Sequence, residues 1–538
     1  MKKFSLLFST RFFYGFLFLI FISITGCDYQ NTKQQTGSRD SIPEKDIPVR
    51  GYFSDQHNLH VDSSEIDSFF LKYSKLKDYE TDVKEFYRYR DFLYAWYGDN
   101  GLDEQASNLL NLLNNLEQEG IQTNIPYKEV VDSVSSGPTG VKAPDPETDI
   151  LLSAEYLFYG DKVWNGISEK ETKKLEWMLP RKKLDLPYLM DSLLKEKPSG
   201  FNVGNYNYRQ YNLLKANLEK YRLLDRMNDW EILKPTTKSY KKNDTSELLA
   251  KVRHRLFLLG DLTADSKSNI LDEDLEKGIS GFQERNGMFS DGVASAGFFR
   301  EINISPQENI RRIIVNMERT RWMPIDLNHH YIIVNIPAFT LSAFDMDTLT
   351  LQMNVVVGKD VHKTVIFNGD IKYIVFSPYW NVPSSIMNSE ILPAIRKNPN
   401  YLSKNNMEWS GNIIRQKPGP KNSLGLVKFL FPNSYNIYLH DSPAKSLFGA
   451  QSRAFSHGCI RLAEPKKLAV YLLKDDPLWN ETKIQQAMTS GKEKYVTLKN
   501  PVPVYIGYMT AWVDNEGRLN FRNDIYKRDG ELEKMIIN

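Results

Sequence analysis

The chain has 538 residues, 41% of them hydrophobic and 25% charged, the balance of ordinary folded domains. At about 150 residues per domain, that length suggests three or four. Its 69 Lys+Arg against 67 Asp+Glu leave a net charge of +2, so no strong field favours nucleic acid or an anionic membrane surface. Two cysteines exclude both a disulfide-stapled scaffold and a Cys-rich zinc module, which leaves the separate purposes of Cys27 and Cys459 to explain.

Lys2, Lys3 and Arg11 precede an apolar run from Phe12 to Ile24, a signal-peptide pattern too short for a comfortable membrane span. The run closes Ile24-Thr25-Gly26-Cys27, which resembles the lipobox of bacterial lipoproteins. That resemblance implies a signal peptide over residues 1–27 and lipidation at Cys27. Two or three acyl chains, at about 0.8 kcal/mol per buried CH₂, would anchor the protein to a membrane. It would then work outside the cytoplasm, in the periplasm. A plain signal peptide or uncleaved anchor is the blander alternative. Residues 28–59 are polar and read as a tether.

From 60 to 243 the spacing is helical. Leu102, Ala106, Leu109, Leu110, Leu113 and Leu116 share one face, with Asp103 as a candidate N-cap and Gly120 as a stop. The same pattern returns at Ile150 to Phe158 and at Tyr211, Leu214, Leu218 and Tyr221. The aromatic stretch Phe86 to Tyr97 fits core packing better than a stacking platform. No catalytic cluster occurs here, so the segment reads as a helical scaffold. Residues 244–305 form a smaller unit. A helix leads to Leu259-Gly260, a second runs to Phe282-Gln283, and Asp291-Gly292 follows. That order resembles the three-helix peptidoglycan-binding domain, though Met288-Phe289-Ser290 and Ala294-Ser295-Ala296 depart from it. Residues 306–324 read as a connecting helix.

Beyond Pro324 the period changes to two. Tyr331 to Ile336, Leu351 to Val357, Tyr373 to Phe376, Asn436 to Leu439, Tyr495 to Leu498 and Val504 to Trp512 are β-branched or aromatic runs. They predict a β-sandwich or barrel-like domain over 325–515, with a short helical lid within 384–414 and a C-terminal tail at 516–538. The whole is a multidomain α+β chain: helical scaffold, three-helix unit and mainly-β domain.

Cys459 lies inside that last domain. Tyr438-Leu439-His440-Asp441 is followed, after fifteen residues, by Ser456-His457-Gly458-Cys459-Ile460-Arg461. A histidine at a strand end can reach a loop cysteine from a rigid support. Gly458 permits positive φ, nearby N–H groups can form an oxyanion hole, and Arg461 favours a thiolate and a substrate carboxylate. A buried inert cysteine does not explain these neighbours. A zinc site at His440, His457 and Cys459 lacks a fourth cysteine and an acidic helix motif. Papain-like peptidases place Cys before His, the reverse of the order here.

The string around His440 and Cys459 resembles the signature of the L,D-transpeptidase (YkuD) catalytic domain. Arg415 to Gly425, Tyr379 to Pro383 and Thr510 to Asp514 resemble the same family. The order of units is similar to its large, YcbB-type branch. The resemblance implies Cys459 as nucleophile, His440 as general base and the Asp441 backbone carbonyl as its orienting group. It implies that His457 and Gly458 shape the site and the oxyanion hole, and that Arg461, Tyr438, Trp380 and Ser456 contact the donor. The implied substrate is peptidoglycan: a tetrapeptide donor and an acceptor stem, joined 3→3 with loss of the terminal D-Ala. Resolution by water would give an L,D-carboxypeptidase instead. A non-catalytic wall-binding lipoprotein is the alternative from another class. Carbapenems are implied as acylating inhibitors; no metal or organic cofactor is implied, and no nucleic-acid partner.

Overall fold

The computed structural model describes residues 59–98, 101–136, 143–195, 206–325, 327 and 329–537. Cys27, the signal-like run and nearly all of the polar tether lie outside the described residues. Among the described residues, no helix is long and apolar enough to cross a membrane.

Side-chain caps set where the scaffold helices begin. Asp62 and Glu65 form a capping box on Ser63–Lys72, and Asp103 accepts from Ala106 N ahead of Glu104–Asn114. Asp145 caps Pro146–Gly160, whose first residue is proline. Every residue from Asp149 to Gly160 of that helix is buried, so it is the axis around which the others pack. Its buried Asp149 carboxylate accepts from Tyr87 OH at 2.5 Å and Trp96 N at 2.8 Å. The aromatic stretch is core: Phe86, Tyr87, Trp96 and Tyr97 are buried, while Tyr89 stays exposed. Tyr211, Leu214, Leu218 and Tyr221 line the buried face of Gln210–Arg226.

The three-helix unit, Glu247–Leu259, Glu273–Arg285 and Ala296–Ile302, has a core of its own around Leu249, Val252, Leu275, Ile279, Phe282 and Phe298. Gln283 spans its last turn, accepting from Gly292 N at 2.9 Å and donating to Asp291 Oδ1 at 2.9 Å. The sequence pattern Phe-Gln…Asp-Gly is therefore a structural bracket. Helix Pro306–Arg321 then inserts Ile313, Ile314 and Met317 into the scaffold core, while Val315, Trp322 and Met323 join the core of the β domain.

The β domain contains β1 (His330–Asn335), β2 (Thr340–Asp345), β3 (Thr348–Gly358), β4 (Phe367–Phe376), β5 (Val427–Leu430), β6 (Leu439–His440), β7 (Ala454–Ser456), β8 (Ile460–Leu462) and β9 (Lys494–Gly507). Their order is β7-β3-β8-β6-β5-β4-β9-β1-β2, and β2 also pairs with β3. Eight strands therefore close into a barrel, with β7 appended beside β3. Of the two β architectures the period allows, closure selects the barrel. Alternate residues Val355, Ile374, Val427, Phe429, Leu439, Ile460 and Leu462 fill its core.

Three details differ from the sequence reading. The runs Tyr495–Leu498 and Val504–Trp512 are not two strands: β9 is continuous across a register shift between Thr497 and Val502 and stops at Gly507. The chain then leaves the barrel. Strands Ala511–Val513 and Leu519–Phe521 form a hairpin whose buried side chains enter the scaffold core. The expected tail from 516 onward is therefore built in, and helix Asp529–Ile536 seats Leu532 in the barrel core. Finally, the lid is mixed. Helical turns from Ser384 to Lys404 pack on a hairpin, Met407–Ser410 and Ile413–Gln416, that pairs with Trp380–Asn381. Val382, Ile391, Met407 and Ile414 give it a small core.

Candidate active site

The cysteine sits in the turn between β7 and β8, and the histidine on β6 beside it. Strands β6 and β8 run parallel, with Leu439 opposite Ile460 and His440 opposite Arg461. Side chains alternate along a strand. Leu439, Ile460 and Leu462 therefore point into the core, and Tyr438, His440, Cys459 and Arg461 share the outer face. Cys459 lies diagonally across from His440, one strand over and two residues before Arg461. The Tyr438 and His440 rings are 5.7 Å apart.

His440 is buried, and its Nδ1–H donates to the Asp441 carbonyl at 2.5 Å. A carbonyl can only accept, so Nδ1 carries the proton and Nε2 is left as the basic nitrogen. Burial pushes the imidazole down to about 3; the Arg461 charge adds to this, and the backbone carbonyls of Asp441 and Leu424 oppose it. The ring is therefore neutral. The Asp441 carboxylate is fully engaged elsewhere: it accepts from Ser442 N at 2.7 Å and Leu426 N at 2.8 Å, and pairs with Lys445 at 2.6 Å.

Burial pushes the Cys459 thiol up, against hydrogen bonding by Tyr438 and the Arg461 charge. Its Sγ–H donates to the Asn436 carbonyl at 3.7 Å. The resting pair is thus a neutral thiol and a neutral imidazole. Catalytic hydrogen bonds commonly tighten only when substrate is bound.

A buried network holds this loop. Thr364 Oγ1 accepts from Gly358 N at 2.9 Å and donates to Gly458 O at 2.9 Å. Tyr526 OH in turn donates to Gly358 O at 2.7 Å. Gly458 has φ +112°, a conformation other residues rarely adopt. Gly358 is required by space, since a Cβ there would lie 2.0 Å from His362 O.

Four more of the expected site residues sit in this loop or in the lid. Ser456 is buried, and its hydroxyl accepts from Gly458 N at 3.1 Å and donates to Cys459 O at 2.6 Å. It braces the loop, its one proton committed to Cys459 O. The Gly458 N–H is occupied by that same bond. The Cys459 N–H has no partner among the described residues, so it is the donor free for an oxyanion. Trp380 pairs with Gln416 in the lid sheet and packs on the lid core. His457, half-exposed, meets Glu390 of the lid at 3.2 Å and stacks near His362 at 5.1 Å. It marks where the lid reaches the cysteine loop.

Sequence reasoning missed Asn436, Thr364, Tyr526 and Lys428. Only Lys428 left a signal: a charge alternating with Val427 and Phe429. The backbone and buried partners become visible only once strands distant in the chain are side by side. Among the described residues, no group of three or more His, Cys, Asp or Glu is gathered as a metal site.

Residues 329–484 match the L,D-transpeptidase catalytic domain, and residues 81–218 match a scaffold domain. A Haemophilus influenzae protein described as a candidate L,D-transpeptidase is 31% identical over 282 residues, 48% of this chain and 56% of its own. The chain therefore spans about 56% of that relative's length. Among solved structures, an L,D-transpeptidase from Mycobacterium smegmatis is 14% identical over 33% of this chain and 58% of its own, with a TM-score of 0.20. One from Stackebrandtia nassauensis is 13% identical over 51% of this chain and 98% of its own, with a TM-score of 0.21.

Proposed function

We propose that this chain, whose residues 329–484 match the L,D-transpeptidase catalytic domain, forms 3→3 cross-links between peptidoglycan stem peptides through an acyl-enzyme on Cys459. The observation that supports this reading most is the shared sheet face: Cys459, His440 and Arg461 project from one side, with Nε2 of His440 as the basic nitrogen.

Cys459 attacks the carbonyl of the diamino acid at position three of a tetrapeptide donor. His440 Nε2 takes the thiol proton as the C–S bond forms, because a prior ion pair is disfavoured by burial on both sides. The Cys459 N–H stabilises the oxyanion. Collapse breaks the peptide bond, and His440 returns the proton to the departing D-Ala amine. The side-chain amine of a second stem then attacks the thioester, giving an amide and restoring the thiol. Attack by water would yield a tripeptide, the L,D-carboxypeptidase outcome. The lid, which touches the cysteine loop through Glu390, would exclude that water.

The rest of the chain is read in the same frame. Cys27 would be lipidated and hold the enzyme to a membrane on the extracytoplasmic side. The three-helix unit would bind the wall through a cleft of about 490 Å³ lined by residues including Gln283, Asn286, Asp291 and Arg300. A carbapenem would acylate Cys459.

Intact-protein mass spectrometry tests this reading. Incubation with disaccharide-tetrapeptide whose position-three side-chain amine is acetylated, so that it can donate but not accept, should add the donor mass less D-Ala to the wild type, and nothing to Cys459→Ala. Equal, unmodified masses with both the peptide and a carbapenem would overturn it.

A further inference from the structure

We propose that Lys428 is a substrate-binding residue which, with Arg461, forms a two-point receptor for carboxylates of the donor peptide, one cation on each side of His440. The inference rests on the function proposed above and assigns it a specificity determinant.

The strand register carries the argument. Lys428 on β5 lies directly opposite His440 on β6, which lies directly opposite Arg461 on β8. Facing residues in adjacent strands project from the same side, so the three form a row: cation, imidazole, cation. The row is closed by apolar side chains, Val375 beyond Lys428 and Val356 beyond Arg461, both fully buried.

Neither cation is ion-paired among the described residues. Other basic groups of this region are neutralised. Lys445 pairs with Asp441, Arg415 and Lys417 both pair with Glu408, and Lys363 lies 3.8 Å from Asp360. Glu493, the acidic group whose field reaches Lys428, accepts from Tyr379 N at 2.9 Å through Oε1. The buried Nε of Arg461 has no hydrogen-bond partner. Burial depresses the proton affinity of both cations. Leaving such charges uncompensated is costly, and the fold places two of them around the buried His440. An anionic ligand completes the arrangement.

Spacing decides what each reads. Neighbouring strands lie about 4.8 Å apart, so Lys428 and Arg461 are roughly 10 Å apart at their Cα atoms. Arg461 is two residues from Cys459 on the same face and so meets the carboxylate nearest the scissile bond. Lys428 meets a second carboxylate farther along the donor. A peptide with two free carboxylates fits; one with its second carboxylate amidated loses the Lys428 contact.

The test uses the full chain carrying Cys459→Ala, titrated calorimetrically with disaccharide-tetrapeptide and with the same compound amidated at its side carboxylates. In this background Lys428→Gln should weaken binding of the acidic ligand about tenfold or more, as for a charge-assisted hydrogen bond. It should leave the amidated ligand's affinity unchanged, and Lys428→Arg should restore the acidic one to within about threefold. Equal weakening of both ligands, no weakening of either, or no binding of the acidic ligand to the Cys459→Ala protein would overturn the proposal. Binding to an inactive protein needs no turnover. A wild type that forms no acyl-enzyme would therefore count against the proposed reaction alone.

Discussion

Replacing Thr364 by Val removes one oxygen at nearly constant volume from the loop that positions Cys459. Thr364 is fully buried, and its hydroxyl bonds Gly358 N and Gly458 O at 2.9 Å each. Valine leaves both backbone groups unpaired in a dry site, at about 1–3 kcal/mol apiece. The expected loss is therefore about 2–6 kcal/mol. At roughly 2–4 °C per kcal/mol for a domain of this size, melting should fall by about 4 °C or more. Gly458 is one peptide from Cys459, and misplacing a reacting atom by 1 Å can cost about 10²-fold in rate. Carbapenem acylation, followed by intact mass, should slow accordingly. Thr364→Ser keeps the hydroxyl and should lose little in either assay. A Thr364→Val protein that melts with the wild type and acylates at its rate would refute the assignment of this network as the loop's support.

Other expectations follow from the same geometry. The His440 ring, held near 3 by burial, should stay neutral to below pH 5 by NMR, while an unfolded histidine protonates near 6.5. The unfolded state then binds the extra proton, so folding should lose about 2 kcal/mol from this residue between pH 8 and 5, and His440→Gln should abolish that slope. A ring titrating near 6.5 in the folded protein would contradict it. His440→Ala should lower acylation by about 10²-fold or more with the fold intact, whereas His457→Ala, half-exposed against the lid, should stay within about tenfold of wild type. The reverse ranking would move the base to His457. Gly358→Ala should destabilise by about 3 kcal/mol or more because of His362 O at 2.0 Å. Gly281→Ala, in a helix with open space around it, should stabilise by about 0.5–1 kcal/mol; thermal melts decide both.

The site was legible where it is local. His440 and Cys459 stand at a spacing that a strand, a loop and a second strand can close, and the alternation of Leu439 with its neighbours already orients His440 outward. Helices announced by caps, such as Asp103 before Glu104–Asn114, were legible for the same reason. What depended on register across the sheet was not. Lys428 opposite His440 needs β5 beside β6, a pairing that no local pattern states. The run Val504–Trp512 reads as barrel strand by period, and only the scaffold core that Ala511 and Val513 join explains why the chain leaves the barrel at Gly507. Ser456 carries a hydroxyl whose direction is set by the turn, so sequence could not tell a brace from a substrate contact.

The central claim is that Cys459 transfers a stem peptide to an amine. Mass spectrometry of the products from disaccharide-tetrapeptide tests it most directly. The account predicts a cross-linked dimer lighter than two donors by one D-Ala, absent with Cys459→Ala. Substrate returned unchanged by wild type and Cys459→Ala alike would contradict it.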